Sequence, residues 1–300
     1  MKGLELAEAY YNEYGKKMIE EELTEYAERI AVGLVGEGSE CLGYDDEISE
    51  DHDFEPGFCL WITEEDERKI GFKLERAYAR LPREFKGYAR QRLSPVGGAR
   101  HGVFTVGEFY RKLLGCEKVP KSDDFWLYVP PHRLLAATCG KVFRDDLGVF
   151  SEIREKLKKG YPEGVRRKKL SDSLLTMAQS GQYNYERCRK HGEVGAACLA
   201  LSEFVKSAIS VIYLINNRYE PFYKWAFRGM RELPRLSELE KTLTELIVSG
   251  EETFGKPQLI EEVAEKISAE LTVQGLSSAR GSTLHAHAYS VIENSRKFRV

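Results

Sequence analysis

GEGSECLGYDDEISEDHDF, residues 36–54, is bracketed by two runs with strand character. Ile30–Val35 (IAVGLV) is apolar throughout and rich in β-branched residues, and Phe58–Thr63 (FCLWIT) has the same character, as fully buried strands do. An acid-rich loop therefore joins two buried strands. Gly36, Gly38 and Gly43 permit tight turns inside it, and Asp51, His52 and Asp53 lead toward the second strand. With extended backbone from Asp51 onward, Asp51 and Asp53 share one face and His52 points to the other. Two carboxylates then converge on one point, a donor set that suits a hard divalent cation, Mg2+ or Mn2+. Gly38-Ser39, twelve residues before Asp51, offers backbone N–H groups and a hydroxyl where a phosphate can lie.

Gly38-Ser39, then eleven residues, then Asp51-His52-Asp53-Phe54 resembles the glycine-serine, spacer, Asp-x-Asp signature of the nucleotidyltransferases related to DNA polymerase beta. The longer block GSECLGYDDEISEDHDFEPGFCLW is similar to a bacterial and archaeal family of uncharacterised proteins of that superfamily. The helical second half of that family resembles antibiotic nucleotidyltransferases of the kanamycin type. The resemblance spans most of the chain and implies an α+β protein. Residues 1–149 are expected to form a nucleotidyltransferase fold, a small mixed sheet with flanking helices, and residues 150–300 an all-α helical bundle that binds substrate. The implied activity moves an NMP from a nucleoside triphosphate to an acceptor hydroxyl held between the domains. The triphosphate lies over Gly38 and Ser39, magnesium sits on Asp51 and Asp53, and pyrophosphate leaves after in-line attack. Such catalysis is mostly positioning and charge neutralisation.

His101–Val106 (HGVFTV) reads as a third strand and Gly107–Leu114 as a helix. In the superfamily a third carboxylate normally lies on such a strand, but here its middle is Phe104. Glu108 is the nearest acid and the candidate for the third catalytic role. Asp123 and Asp124 are stand-ins whose ordinary role is capping the segment after them. Phe104 also supports a second reading, a binding or regulatory protein of the same fold that has lost turnover.

The bulk properties set limits on both readings. Three hundred residues, 42 % hydrophobic and 11 % aromatic, can bury the core of two domains. A net charge of -3, from 45 basic and 48 acidic residues, predicts no strong general attraction to nucleic acid or an anionic membrane. Met1–Arg29 is amphipathic rather than signal-like, and the sequence shows no apolar run of the roughly 20 residues that span a bilayer, so a cytoplasmic protein is expected. Six cysteines without CxxC spacing read as reduced thiols.

Along the rest of the chain, apolar spacing predicts two helices over residues 3–29 with a break at Gly15, and another over Glu64–Arg80. Arg83, Lys86, Arg90, Arg92 and Arg100 form a basic loop, either solvated or able to approach a triphosphate. Residues 143–148 carry turn chemistry, and strands give way to helices near Phe150. Arg166–Lys169 reads as a solvated connection. Gln179-Ser-Gly-Gln-Tyr-Asn184 with Arg187 and Arg189 concentrates hydrogen-bonding groups on one helix, as an interhelical network or as a substrate contact through Gln179, Asn184 and Arg187. By the resemblance, Lys224 is a candidate for the β- or γ-phosphate and Glu203 for the base of the helical domain. His285 and His287 are assigned a surface or core role rather than metal binding. The acceptor is left open among small molecule, protein and RNA.

Overall fold

The computed structural model describes residues 1–48, 54–90, 100–250 and 255–296. The protein is α+β, and the chain forms two compact units, Met1–Lys121 with Arg133–Lys159, and Ser122–His132 with Gly160–Val300.

In the first unit α1 (Gly3–Tyr10) and α2 (Lys16–Glu22) are one rod, joined by a π turn over Tyr11–Gly15. Gly15 is thus not the expected break. A β-carbon on it would overlap the Phe58 ring, so glycine lets the rod lie against the sheet, and the widened turn accommodates the approach. β1 (Ala31–Leu34) and β2 (Cys59–Ile62) are buried at every residue, as the apolar runs predict, and α3 (Ser39–Leu42) is a single turn between them. α4 (Glu64–Ala79) starts on Thr63, whose hydroxyl accepts from the Asp66 N–H.

The basic loop begins as a hairpin, β3 (Glu84–Phe85) with β4 (Tyr88–Ala89). Lys86 and Gly87 both have positive φ, the pattern of a tight two-residue hairpin turn. Arg90 is not solvated either. Its guanidinium lies over the Tyr78 ring at 4.5 Å and donates to the Pro56 carbonyl at 3.0 Å. β5 (Gly102–Thr105) and α5 (Val106–Leu114) follow as expected. The chain then passes through α6 (Asp123–Tyr128), part of the second unit, and α7 (Pro131–Ala136).

β6 (Lys141–Arg144) occupies part of a segment read from sequence as a turn. The turn proper is 145–148, where Asp145 accepts from the Ser151 N–H at 2.7 Å and starts α8 (Val149–Lys158). The sheet order is β5-β2-β1-β6, with β1 antiparallel to both neighbours and β2 parallel to β5. Phe58, Leu60 and Ile62 pack with α1, α2 and α4 on one face. On the other, Trp61 stacks on Phe150 of α8 at 3.8 Å between ring centroids, a pairing worth about 1 kcal/mol beyond its burial.

The second unit is helical. α9 (Glu163–Met177) continues through a π segment, Ala178–Tyr185, into α10 (Glu186–Lys190), and packs against α11 (Val194–Ile215) and α15 (Leu284–Arg296). Among the remaining helices, α12 (Tyr223–Met230), α13 (Leu239–Val248) and α14 (Lys256–Val273) also flank α11. α11 corrects one sequence expectation, since its 22 residues are long and apolar enough to cross a membrane. More than half of its most apolar stretch is buried. Arg166 and Arg167 are also not a solvated connection. Arg166 bonds the carbonyls of Leu214 (2.7 Å) and Ile215 (3.0 Å), and buried Arg167 those of Leu276 and Val291, both at 3.2 Å. His287 is buried between Ser277 Oγ and the Gly281 carbonyl, both at 2.9 Å.

Candidate functional site

The Gly-Ser turn leaves the buried end of β1 with φ 142° at Gly36 and 143° at Gly38, conformations that favour glycine. Ser39 opens α3, which closes at Gly43 in the left-handed region (φ 72°). Three contacts tie the turn to its own unit. The Cys139 thiol donates to the Gly36 carbonyl (3.0 Å), the Gly140 N–H to the Cys41 carbonyl (2.8 Å), and Glu37 pairs with Arg133 (3.6 Å). The Cys41 thiol bonds Cys139 and is buried, and both effects push its pKa well up. Asp45, one acid of the loop, is structural: it is buried and accepts from the Gly3 N–H at 2.7 Å at the start of α1.

Asp51, His52 and Asp53 lie outside the described residues. Phe54, directly after them, is buried and packs on Tyr88 with centroids 4.8 Å apart. The residues around both ends of this segment converge. Arg100 Nη2 donates to Glu40 Oε1 at 2.7 Å and to the Glu37 carbonyl. His101 Nδ1 is 3.1 Å from Glu55 Oε1, and a β-carbon on Gly57 would sit 2.7 Å from the His101 ring. Burial raises the Glu40 carboxyl, and the neighbouring Arg100 offsets this only in part.

The third strand is where the sequence places it, with Phe104 paired in register with Trp61. Glu108 sits in the first turn of α5, where its carboxylate accepts from Thr105 N (3.3 Å) and Thr105 Oγ1 (3.2 Å), and the Glu108 N–H donates to Thr105 Oγ1 (3.1 Å). This is a reciprocal cap. Asp123 and Asp124 occupy the first turn of α6, capped by Ser122. Among the described residues no group of three or more His, Cys, Asp or Glu is arranged to hold a metal.

In the second unit Gln179 is exposed and Asn184 half-buried on the π segment, and Arg187 lies over the Tyr183 ring at 5.7 Å. Gln182 takes the network role: its amide bonds Glu261 Oε2 (3.0 Å), the Ser282 carbonyl (3.0 Å) and the Leu284 N–H (3.1 Å). Glu203 is exposed on α11, 3.9 Å from Lys206, and Lys224 lies over the Trp225 ring at 5.2 Å. Sequence reasoning missed Glu220. Burial raises its carboxyl, against a 2.6 Å bond from Ser210 Oγ and the charges of Lys206 and Lys169. Beside it the Tyr161 hydroxyl is buried without a hydrogen-bond partner. No spacing in the sequence signals this cluster, which is assembled from separate helices and one turn.

Residues 126–226, about a third of the chain, match a domain of unknown function, DUF4037. No curated protein matches. Among solved structures the chain is similar to a nucleotidyltransferase-like protein from Exiguobacterium sibiricum, at 12 % identity over 95 % of this chain and 81 % of that one, with a TM-score of 0.38. So remote a likeness carries neither fold nor activity across.

Proposed function

We propose that the protein is a Mg2+-dependent nucleotidyltransferase that moves a nucleoside monophosphate from a nucleoside triphosphate to an acceptor hydroxyl. The observation that carries this reading is the Gly38-Ser39 turn. It leaves buried β1 on bare positive-φ backbone, and its antiparallel partner β2 begins six residues after Asp53. In this reading the triphosphate lies over Gly38 and the Ser39 hydroxyl. Two aspartates one residue apart are the hard oxygen donors that magnesium takes, so Asp51 and Asp53 hold the ion. When bound there, it supplies charge neutralisation on the phosphates. Gln179, Asn184, Arg187 and Glu203 are assigned to the acceptor, which is a small molecule, a protein or an RNA. The assigned location is the cytoplasm.

A second reading has its own support. Phe104 occupies the middle of β5, and Glu108 is engaged in the α5 cap. Both favour a protein that binds the nucleotide without transferring it.

Calorimetric titration of ATP, GTP, CTP and UTP with magnesium, repeated on Asp51→Asn plus Asp53→Asn, tests the site. Metal-dependent binding that the double variant loses is expected. Transfer of label from α-labelled nucleotide to an acceptor then separates enzyme from binder. Absence of binding for all four nucleotides overturns both readings.

A further inference from the structure

Arg100 lies immediately before β5, far in sequence from the Gly-Ser turn, yet its guanidinium rests on Gly38. A β-carbon on Gly38 would overlap Arg100 Nη2 and crowd both Glu40 carboxylate oxygens. The backbone is bare at this point because two opposite charges meet against it. Arg100 Nη2 holds Glu40 Oε1 at 2.7 Å and the Glu37 carbonyl, and the two side chains are only 27 % and 12 % exposed. A carboxylate is thus held by a guanidinium over a glycine. A guanidinium also grips phosphate oxygens, with two parallel N–H bonds.

The pair adds little as a structural staple. Half-buried ion pairs lose in desolvation much of what they gain in attraction, and the Glu40 carboxyl is raised even with Arg100 against it. The backbone of Arg100 has its own anchor, since its carbonyl accepts from the Cys59 thiol at 3.2 Å. Releasing Glu40 leaves that backbone contact untouched.

We propose that Arg100 is the residue that grips the triphosphate and that Glu40 is its placeholder, surrendering the guanidinium to a phosphate oxygen when nucleotide binds. The assignment rests on the nucleotide-site reading above. It makes Glu40 a built-in competitor of the ligand. Anions without a magnesium partner face the Glu40 charge, whereas a nucleoside triphosphate outcompetes it.

The test is calorimetric titration of ATP and AMP with magnesium into the full chain, as wild type, Arg100→Ala, Glu40→Gln and the double variant, with each thermal midpoint recorded. Arg100→Ala is expected to weaken ATP about tenfold or more and AMP much less, because the lost contact is to the β- or γ-phosphate. Glu40→Gln is expected to tighten ATP about threefold to tenfold by removing the competitor. The double variant should match Arg100→Ala, since Glu40 acts through Arg100. If Arg100→Ala loses its folding transition, Arg100→Gln, which keeps the length and loses the charge, carries the same expectation. Wild-type binding that Arg100→Ala or Arg100→Gln leaves intact, or weaker ATP binding in Glu40→Gln, overturns the proposal and leaves the nucleotide reading standing. Failure of wild type to bind any nucleotide removes both.

Discussion

Gly38 and Gly181 are both glycines because something stands where a β-carbon would go, and what stands there differs. At Gly38 it is the flexible ends of Arg100 and Glu40, and at Gly181 it is the Phe204 ring of α11. The first is a contact between charges that can exchange partners. The second is packing between two helices, with Ser180 turned back onto the Thr176 carbonyl (2.6 Å) and Gln182 bridging to α14 and the start of α15. Two polar, glycine-containing stretches that look equally chemical in the sequence therefore do different work. One leaves its polar groups around a bare backbone, and the other satisfies them to let helices approach.

Gly181→Ala should sharpen this contrast most. Overpacking against Phe204 is expected to cost about 2 kcal/mol, more than the gain of up to about 1 kcal/mol in helix propensity, while nucleotide affinity in the folded fraction is unchanged. Denaturant unfolding and calorimetry on one preparation check both halves. Gly38→Ala should reverse the pattern. The φ of 143° costs a non-glycine residue about 1–3 kcal/mol locally, and the larger consequence is loss of nucleotide binding, because the methyl group displaces Arg100. If Gly38→Ala binds nucleotide as wild type does, the two glycines are equivalent and the contrast collapses.

Gln182→Ala is expected to destabilise by about 1–2 kcal/mol, since it unpairs the Ser282 carbonyl and the Leu284 N–H in a partly buried position. Its neighbours are the control. Gln179→Ala and Arg187→Ala should each stay within about 0.5 kcal/mol, as exposed side chains do, so any effect of theirs on acceptor modification reports contact rather than folding.

The carboxylates give a pH form of the same comparison. Burial pushes Asp66 up, but bonds of 2.7 Å from Arg29 Nε and from Thr63 Oγ1 outweigh it and hold the carboxyl below its usual range. A depressed acid contributes stability above an unfolded pKa of about 4 and loses it as pH falls through the folded value. Glu220 is raised by burial, so its contribution is complete below about pH 4 and is lost as pH rises through the folded value. Glu220→Gln should therefore raise the thermal midpoint at pH 7 to 8 with the difference closing toward pH 4. Asp66→Asn should lower the midpoint at neutral pH and flatten the acid limb.

Several elements were legible because a local pattern suffices for them. IAVGLV and FCLWIT are strands whose two faces are both covered, so unbroken apolar runs betray them. α4 and α5 follow from their residue patterns, whereas the Thr63 and Thr105 caps that start them came from the structure. β6 was hidden because Lys141–Arg144 is an edge strand with basic residues at both ends, and such a strand shows little hydrophobic pattern. The hairpin of β3 and β4 is two residues per strand, too short to show a period. In the candidate site, Gly38, Ser39 and the Asp51-x-Asp53 spacing were readable from one stretch. Arg100 was visible only as one of five basic residues in a loop.

The sequence by itself determined what nearest neighbours decide: two buried strands around an acid-rich glycine loop, and a helical second half. The tertiary structure alone decided which distant groups meet. It set the order β5-β2-β1-β6, joined α6 to the helical unit, made Gly15 a contact point rather than a break, and laid Arg100 on Glu40 across 60 positions of chain. Periodicity reports which face of an element is apolar, and a pattern of that kind carries no record of the partner that covers it. Those pairings arise only when all the apolar faces are buried at once, and the charges left against bare backbone are then a consequence of packing.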